Sequence, residues 1–186
     1  MITVVEYDPT WPARFESLRQ EYANAMATAG VPVAAIEHVG STSVPGLAAK
    51  PVIDCDIVVA PADAEAAGVV LVGLGFRPLG ELGIPQRWAF KEPTLLLGTN
   101  TYVIVEGSLS LRNHLALRDT LRSDAALRDA YAAVKKRVGA TAANIDDYGR
   151  GKGAAIQRIL AAAGISEAER AAIAANPVPS HADVPR

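Results

Sequence analysis

Two aspartates separated by one residue, Asp54-Cys55-Asp56, lie inside a run of β-branched residues between Val52 and Val59. Successive side chains of a strand point to opposite faces, so both carboxylates project to one side, about 6–7 Å apart along the chain. Like charges at that spacing repel, and burial adds a desolvation cost to each. A divalent cation such as Mg2+ or Mn2+ removes the conflict, because hard cations prefer carboxylate oxygens and keep positions open for phosphate. The alternative is an edge strand whose acids face solvent. Twelve residues separate Asp54 from Gly40-Ser41, which opens the segment GSTSVPGLAAK. Gly40 permits close backbone approach, Ser41 to Ser43 offer hydroxyls and N–H donors, and Lys50 stands just ahead of the acidic strand. Such a loop can cradle phosphates beside a metal held by the acids. A plain polar connection is its other reading.

Further residues could serve the same chemistry. Arg87 follows Gly83-Ile84-Pro85-Gln86 and is expected to emerge near the sheet edge, where its planar fork suits phosphate oxygens or a surface ion pair. Lys152 lies in Gly149-Arg150-Gly151-Lys152-Gly153 at an expected helix start, where free N–H groups favour anions. Tyr148 can stack there or pack. His38 precedes the Gly-Ser loop as a base, a donor or a structural histidine. His114, among leucines, reads as structural, and His181 in the tail says nothing. Alternation turns Cys55 away from the aspartates into the core. Lys135-Lys136-Arg137 reads as a solvated helix face that could border an anionic substrate.

These residues need elements to hold them. Thr10-Trp11-Pro12 predicts a helix start with Thr10 as N-cap, and the helix closes at Gly30 and Pro32. Strands are expected over 33–39, 51–59, 87–91 and 100–106, and an alanine-rich helix over 62–74. Residues 76–85 read as irregular. From Leu109 the pattern is helical, with Asp124 capping a second helix, a glycine-rich stretch at 149–153, a helix over 154–163 and a last short helix capped by Ser166. The expected fold is α+β: a small mixed sheet flanked by helices, with C-terminal helices. Residues 1–163 form the main domain, and 164–186 a short helix with a mobile Pro-rich tail. Half of the 186 residues are hydrophobic and a fifth are charged, as in a chain with a true core. A net charge of −2 disfavours a non-specific nucleic-acid binder. One cysteine excludes an internal disulfide framework and fits a reducing cytoplasm. No apolar run approaches the length of a membrane span.

The string His38-Val39-Gly40-Ser41-Thr42-Ser43-Val44-Pro45-Gly46-Leu47-Ala48-Ala49-Lys50-Pro51-Val52-Ile53-Asp54 resembles the GrpB branch of the nucleotidyltransferase superfamily, which has a polymerase-β-like fold. Tyr7 to Trp11, Gly83 to Arg87, Asn113 to Arg122, Tyr148 and Lys152 resemble it as well. The resemblance covers about residues 4 to 162. It implies transfer of a nucleoside monophosphate from a triphosphate to a small acceptor. Asp54 and Asp56 would hold the metal, and Gly40, Ser41, Lys50, Arg87, Tyr148 and Lys152 the nucleotide. The third superfamily carboxylate is assigned to Glu81, with Glu106 as the alternative. GrpB members carry a histidine-rich strand where this chain has Thr99-Asn100-Thr101-Tyr102-Val103-Ile104. That departure keeps a second reading open: a non-catalytic or repurposed member that binds a nucleotide or small metabolite. A small-molecule substrate is expected, and a homodimer is left open.

Overall fold

In the computed structural model, which describes residues 2–175, five strands form one sheet: β1 (Ala35–Val39), β2 (Ile53–Val59), β3 (Arg77–Gly80), β4 (Arg87–Lys91) and β5 (Thr99–Val105). Their spatial order is β1-β2-β5-β4-β3, and only the β2–β5 pair is parallel. The parallel pairing sets Asp54 beside Asn100 and Asp56 beside Tyr102. Across the other neighbour, Asp54 meets Val39 and Asp56 meets Glu37. Paired residues share a face, so Glu37, Asp54, Asp56, Asn100 and Tyr102 line one side of the sheet.

The opposite side is the main core. Ile53, Cys55, Ile57, Val59, Val103 and Phe90 pack there under α1 (Trp11–Thr28) and α2 (Ala64–Gly73), with Trp11, Tyr22 and Met26 buried from α1. The alternation expected of β2 therefore holds, and Cys55 is a fully buried core residue. On the acidic side, α3 (Leu109–Ser123) closes a smaller cluster with Leu111 on Val58 and Ile104. Behind α3 stand α4 (Ala125–Thr141), α5 (Ile145–Gly151), α6 (Gly153–Ala162) and α7 (Glu167–Ala175). Asp124 accepts from the Leu127 N–H, as its capping role requires. Ser166 and Glu169 exchange hydrogen bonds in a capping box at the start of α7.

Four local expectations need correction. Thr10 makes no side-chain cap; its N–H and hydroxyl both donate to Asp8 Oδ1 instead. Residues 77–80, read as irregular, pair with β4 as an edge strand. Pro78 is tolerated there because an edge strand has ladder positions that need no N–H donor. The glycine-rich stretch at 149–153 contains the end of α5. A Cβ on Gly151 would lie 2.5 Å from Val138 Cγ1, so this glycine lets α5 press against α4. Lys135, read as solvated, is 1% exposed. The Pro-rich tail over 176–186, with His181, lies outside the described residues. Among the described residues no helix is long and apolar enough to cross a membrane.

Candidate active site

The turn after β1 determines how the carboxylates are presented. Gly40 has φ +68°, and a Cβ there would collide with the Asp54 side chain, whose Cγ lies at 2.7 Å from the ideal Cβ position. Glycine is thus required twice, for its backbone angle and for the approach of Asp54. One 3-10 turn follows, Ser41–Ser43. The three hydroxyls of this turn differ. Thr42 donates to the Val52 carbonyl at 3.0 Å and Ser43 to the Gly40 carbonyl at 2.6 Å, which fixes the loop on itself. Ser41 is the hydroxyl left for a ligand. His38 is held by Thr42 Oγ1 at 3.1 Å and stacks on Phe15, so its role is structural.

Each aspartate is anchored by one oxygen. Asn100 Nδ2 donates to Asp54 Oδ1 at 2.7 Å, and His114 Nδ1 donates to Asp56 Oδ2 at 2.7 Å. Asp56 is fully buried and its Oδ1 has no partner among the described residues. An unsatisfied buried acceptor costs about 1–3 kcal/mol, more when charged. Burial raises the Asp54 pKa, while the Asn100 hydrogen bond opposes the rise. His114, expected to be structural, is therefore part of the site. Its signal was present in the helical period: His114, Arg118 and Arg122 recur at i, i+4 and i+8 along one stripe. Arg118 binds Glu37 at 2.6 Å and the His38 carbonyl at 3.2 Å, and Arg122 donates twice to the Ser43 carbonyl. One helix edge thus holds the acid strand, β1 and the Gly-Ser turn together.

The cations come from two places, Lys50 from the loop ahead of β2 and the others from the C-terminal helices. Lys50, Lys135 and Lys152 all sense the Asp54 charge. Burial lowers Lys152 to about 8, with Lys50 repelling it further and Asp54 opposing. Its ammonium lies 4.1 Å from the centroid of the Tyr148 ring. Tyr148 is buried, with a hydroxyl that has no partner among the described residues. Lys135 donates to the Ala48 carbonyl at 2.6 Å and is lowered to about 7, first by burial and then by Lys152.

The GrpB protein family model matches residues 1–162. The chain belongs to the GrpB family. A UPF0157 protein of Halalkalibacterium halodurans is 34% identical over 163 residues, covering 86% of this chain and 80% of that one. The crystal structure of the conserved protein GrpB from Enterococcus faecalis superposes with a TM-score of 0.75 at 29% identity, over 87% of this chain and 96% of that one. The GLD-2/RNP-8 complex superposes with a TM-score of 0.55 at 16% identity, over 82% of this chain and 51% of that one. That last likeness is one of fold. The architecture is the α+β, nucleotidyltransferase-like one.

Two assigned residues take other places in this GrpB-family chain. Glu81 sits on the exposed β3–β4 turn, its carboxylate accepting from the Gln86 N–H at 2.7 Å. That turn leads into Arg87, which pairs with Ile104 near the far end of β5 from Asn100. At about 3.3 Å per residue, Glu81 lies well over 10 Å from Asp54. Glu106 follows the same far end and is exposed. Arg87 lies on β4, inside the sheet instead of at its edge, and is 1% exposed. Its guanidinium covers the Tyr102 ring at 4.7 Å and is favoured by Asp56. It is a buried counter-charge on the same face of the sheet as the acids and not an exposed phosphate ligand.

The fit of a metal follows from these donors. Among the described residues, no three His, Cys, Asp or Glu side chains are grouped to hold an ion alone. The free oxygens are Asp56 Oδ1 and one oxygen of Asp54. Two carboxylates are the set by which Mg2+ is commonly held when phosphate oxygens and water complete its shell. The residues therefore fit a cation that arrives with a polyphosphate.

Proposed function

We propose that this chain is a metal-dependent nucleotidyltransferase that moves a nucleoside monophosphate from a triphosphate to a small acceptor. The observation that carries this reading is the paired projection of Asp54 and Asp56 beneath the Gly40-Ser41 turn, each with one anchored oxygen. Mg2+ or Mn2+ bound there would supply Lewis-acid polarisation of the phosphoryl oxygens. Ser41 and the backbone of its turn hold phosphate oxygens. Lys50, from the loop ahead of β2, and Lys152, from the start of α6, neutralise them, and Tyr148 packs beside Lys152. Arg87 offsets the buried charge of Asp56 from the same face of the sheet. Catalysis is then positioning and electrostatic stabilisation, with little covalent chemistry for the protein to perform.

A small, cytoplasmic substrate fits better than nucleic acid. Among the described residues Arg112, Arg118, Arg128, Lys136 and Arg150 are each tied in an ion pair, which reduces the free positive charge that nucleic acid would need. The third carboxylate on this face, Glu37 opposite Asp56, is taken up by Arg118, and that favours a second reading, a nucleotide-binding protein without turnover. Replacing Asp54 by Asn separates them. In the Asp54→Asn variant, pyrophosphate release with Mg2+ and a nucleoside triphosphate should fall by roughly 100-fold or more, with the circular-dichroism spectrum unchanged. Wild-type protein that binds the triphosphate tightly and never releases pyrophosphate with any acceptor supports the second reading. Equal turnover in both proteins would remove the mechanism.

A further inference from the structure

Asp54 and Asp56 are restrained by the same device drawn from different elements. Asn100, on the neighbouring strand, takes Oδ1 of Asp54; His114, on the covering helix, takes Oδ2 of Asp56. Asn100 is placed by the backbone register of β5 on β2. His114 depends on the docking of α3, which is fixed by Leu111 in the Val58–Ile104 cluster and by the bonds of Arg118 and Arg122. Its imidazole is therefore delivered by a rigid element. Its side chain retains 18% exposure, whereas Asp56 has none. A carboxylate has two equivalent oxygens and turns about its terminal bond. Occupying one of them decides where the other points.

We propose that His114 is the positioning residue of the Asp56 carboxylate: by holding Oδ2 through Nδ1–H it turns Oδ1 towards the cation that Asp54 shares. This rests on the metal-dependent reading above. Groups of this kind, which orient a ligand without touching the metal, commonly change metal affinity by about 10–100-fold when removed.

The test titrates the full chain with Mn2+ in the presence of inorganic triphosphate, which completes the ion's shell, and follows protein-bound ion by electron paramagnetic resonance. His114→Leu fills the volume and removes the donor; His114→Asn keeps an amide donor near the Nδ1 position. The expected result is an Mn2+ affinity about 10–100-fold weaker in His114→Leu and restored close to wild type in His114→Asn. A merely structural histidine would let leucine bind Mn2+ as wild type does, and that result overturns the proposal. So does an asparagine variant as weak as leucine. If the leucine variant does not fold, the nitrogen couplings of Mn2+ bound to wild-type protein decide. A weak, remote-shell coupling supports the proposal, and a directly bonded nitrogen or no coupling overturns it. Folded wild-type protein that binds no Mn2+ even with inorganic triphosphate present removes the metal reading and the proposal together. Wild-type binding shared by the leucine variant removes the proposal alone.

Discussion

Lys152 occupies the junction of α5 and α6, its ammonium over the Tyr148 ring and its charge penalised by burial. With its pKa lowered to about 8, it is largely protonated at pH 7 and largely neutral at pH 9. A phosphate group binds only the charged form, so affinity for a magnesium nucleoside triphosphate should fall as pH rises through this range. Calorimetry at pH 7 and pH 9 should give a Kd about tenfold weaker at the higher pH. Lys152→Met should bind weakly at pH 7 already and show no such slope. The sequence pointed to this lysine because glycines and a helix start surround it. It did not point to Lys135, which shares its run with Lys136 and Arg137. Only the spacing Tyr131, Lys135, Gly139 marks the buried stripe of α4, and a lysine on that stripe looks like an error until its partner, the Ala48 carbonyl, is known. Asn100 was hidden for a related reason. Strand pairing sets it beside Asp54, and no local pattern encodes pairing between strands 40 residues apart.

Among elements, the Gly40–Ser43 turn has the greatest influence on the site. It was legible as a glycine-dependent loop, though its glycine accommodates Asp54 as much as any ligand. Gly40→Ala should therefore lose stability and metal binding together. The left-handed angle costs about 1–3 kcal/mol, which corresponds to a fall in Tm of roughly 2–10 °C for a chain of this length. Gly46→Ala is the matched control. Its φ is also positive, at +78°, yet the nearest heavy atoms, from Arg128, lie 3.6 Å away. It should lower Tm similarly and leave Mn2+ affinity in place. Thermal melts paired with Mn2+ titration separate the two effects. The α1, β2, β5 and α3 segments were legible from their apolar period, although the cap expected at Thr10 was not. The β3 edge strand and the short helix α5 were not, since Pro78, Gly80, Gly149 and Gly151 carry the signals of loops. In both places glycine or proline is tolerated by position, at an edge or at a close helix contact.

Over the whole molecule, charge is divided between the two sides of the cleft. Residues 1–108 carry twelve Asp and Glu against six Lys and Arg, whereas residues 109–163 carry five against ten. The near-neutral total concealed this, and it is the split that suits an anionic substrate bound through a cation on one side and lysines on the other. The sides are also tied together. Ile2 N–H donates to the Gly139 carbonyl, and Lys135 reaches the Ala48 carbonyl. On the other face of β2, under α1 and α2, sits the only sulfhydryl of the chain. Cys55 is flanked by both acids in sequence, fully enclosed, and pushed well above the usual thiol range by burial. A thiol-directed dye can reach it only when α1 and α2 lift from the sheet or β2 leaves its neighbours. Alkylation kinetics therefore time the opening of the core behind the strand that bears Asp54 and Asp56. Mg2+ with a nucleoside triphosphate should slow that labelling, and the retardation gives a readout of occupancy that needs neither an acceptor nor turnover.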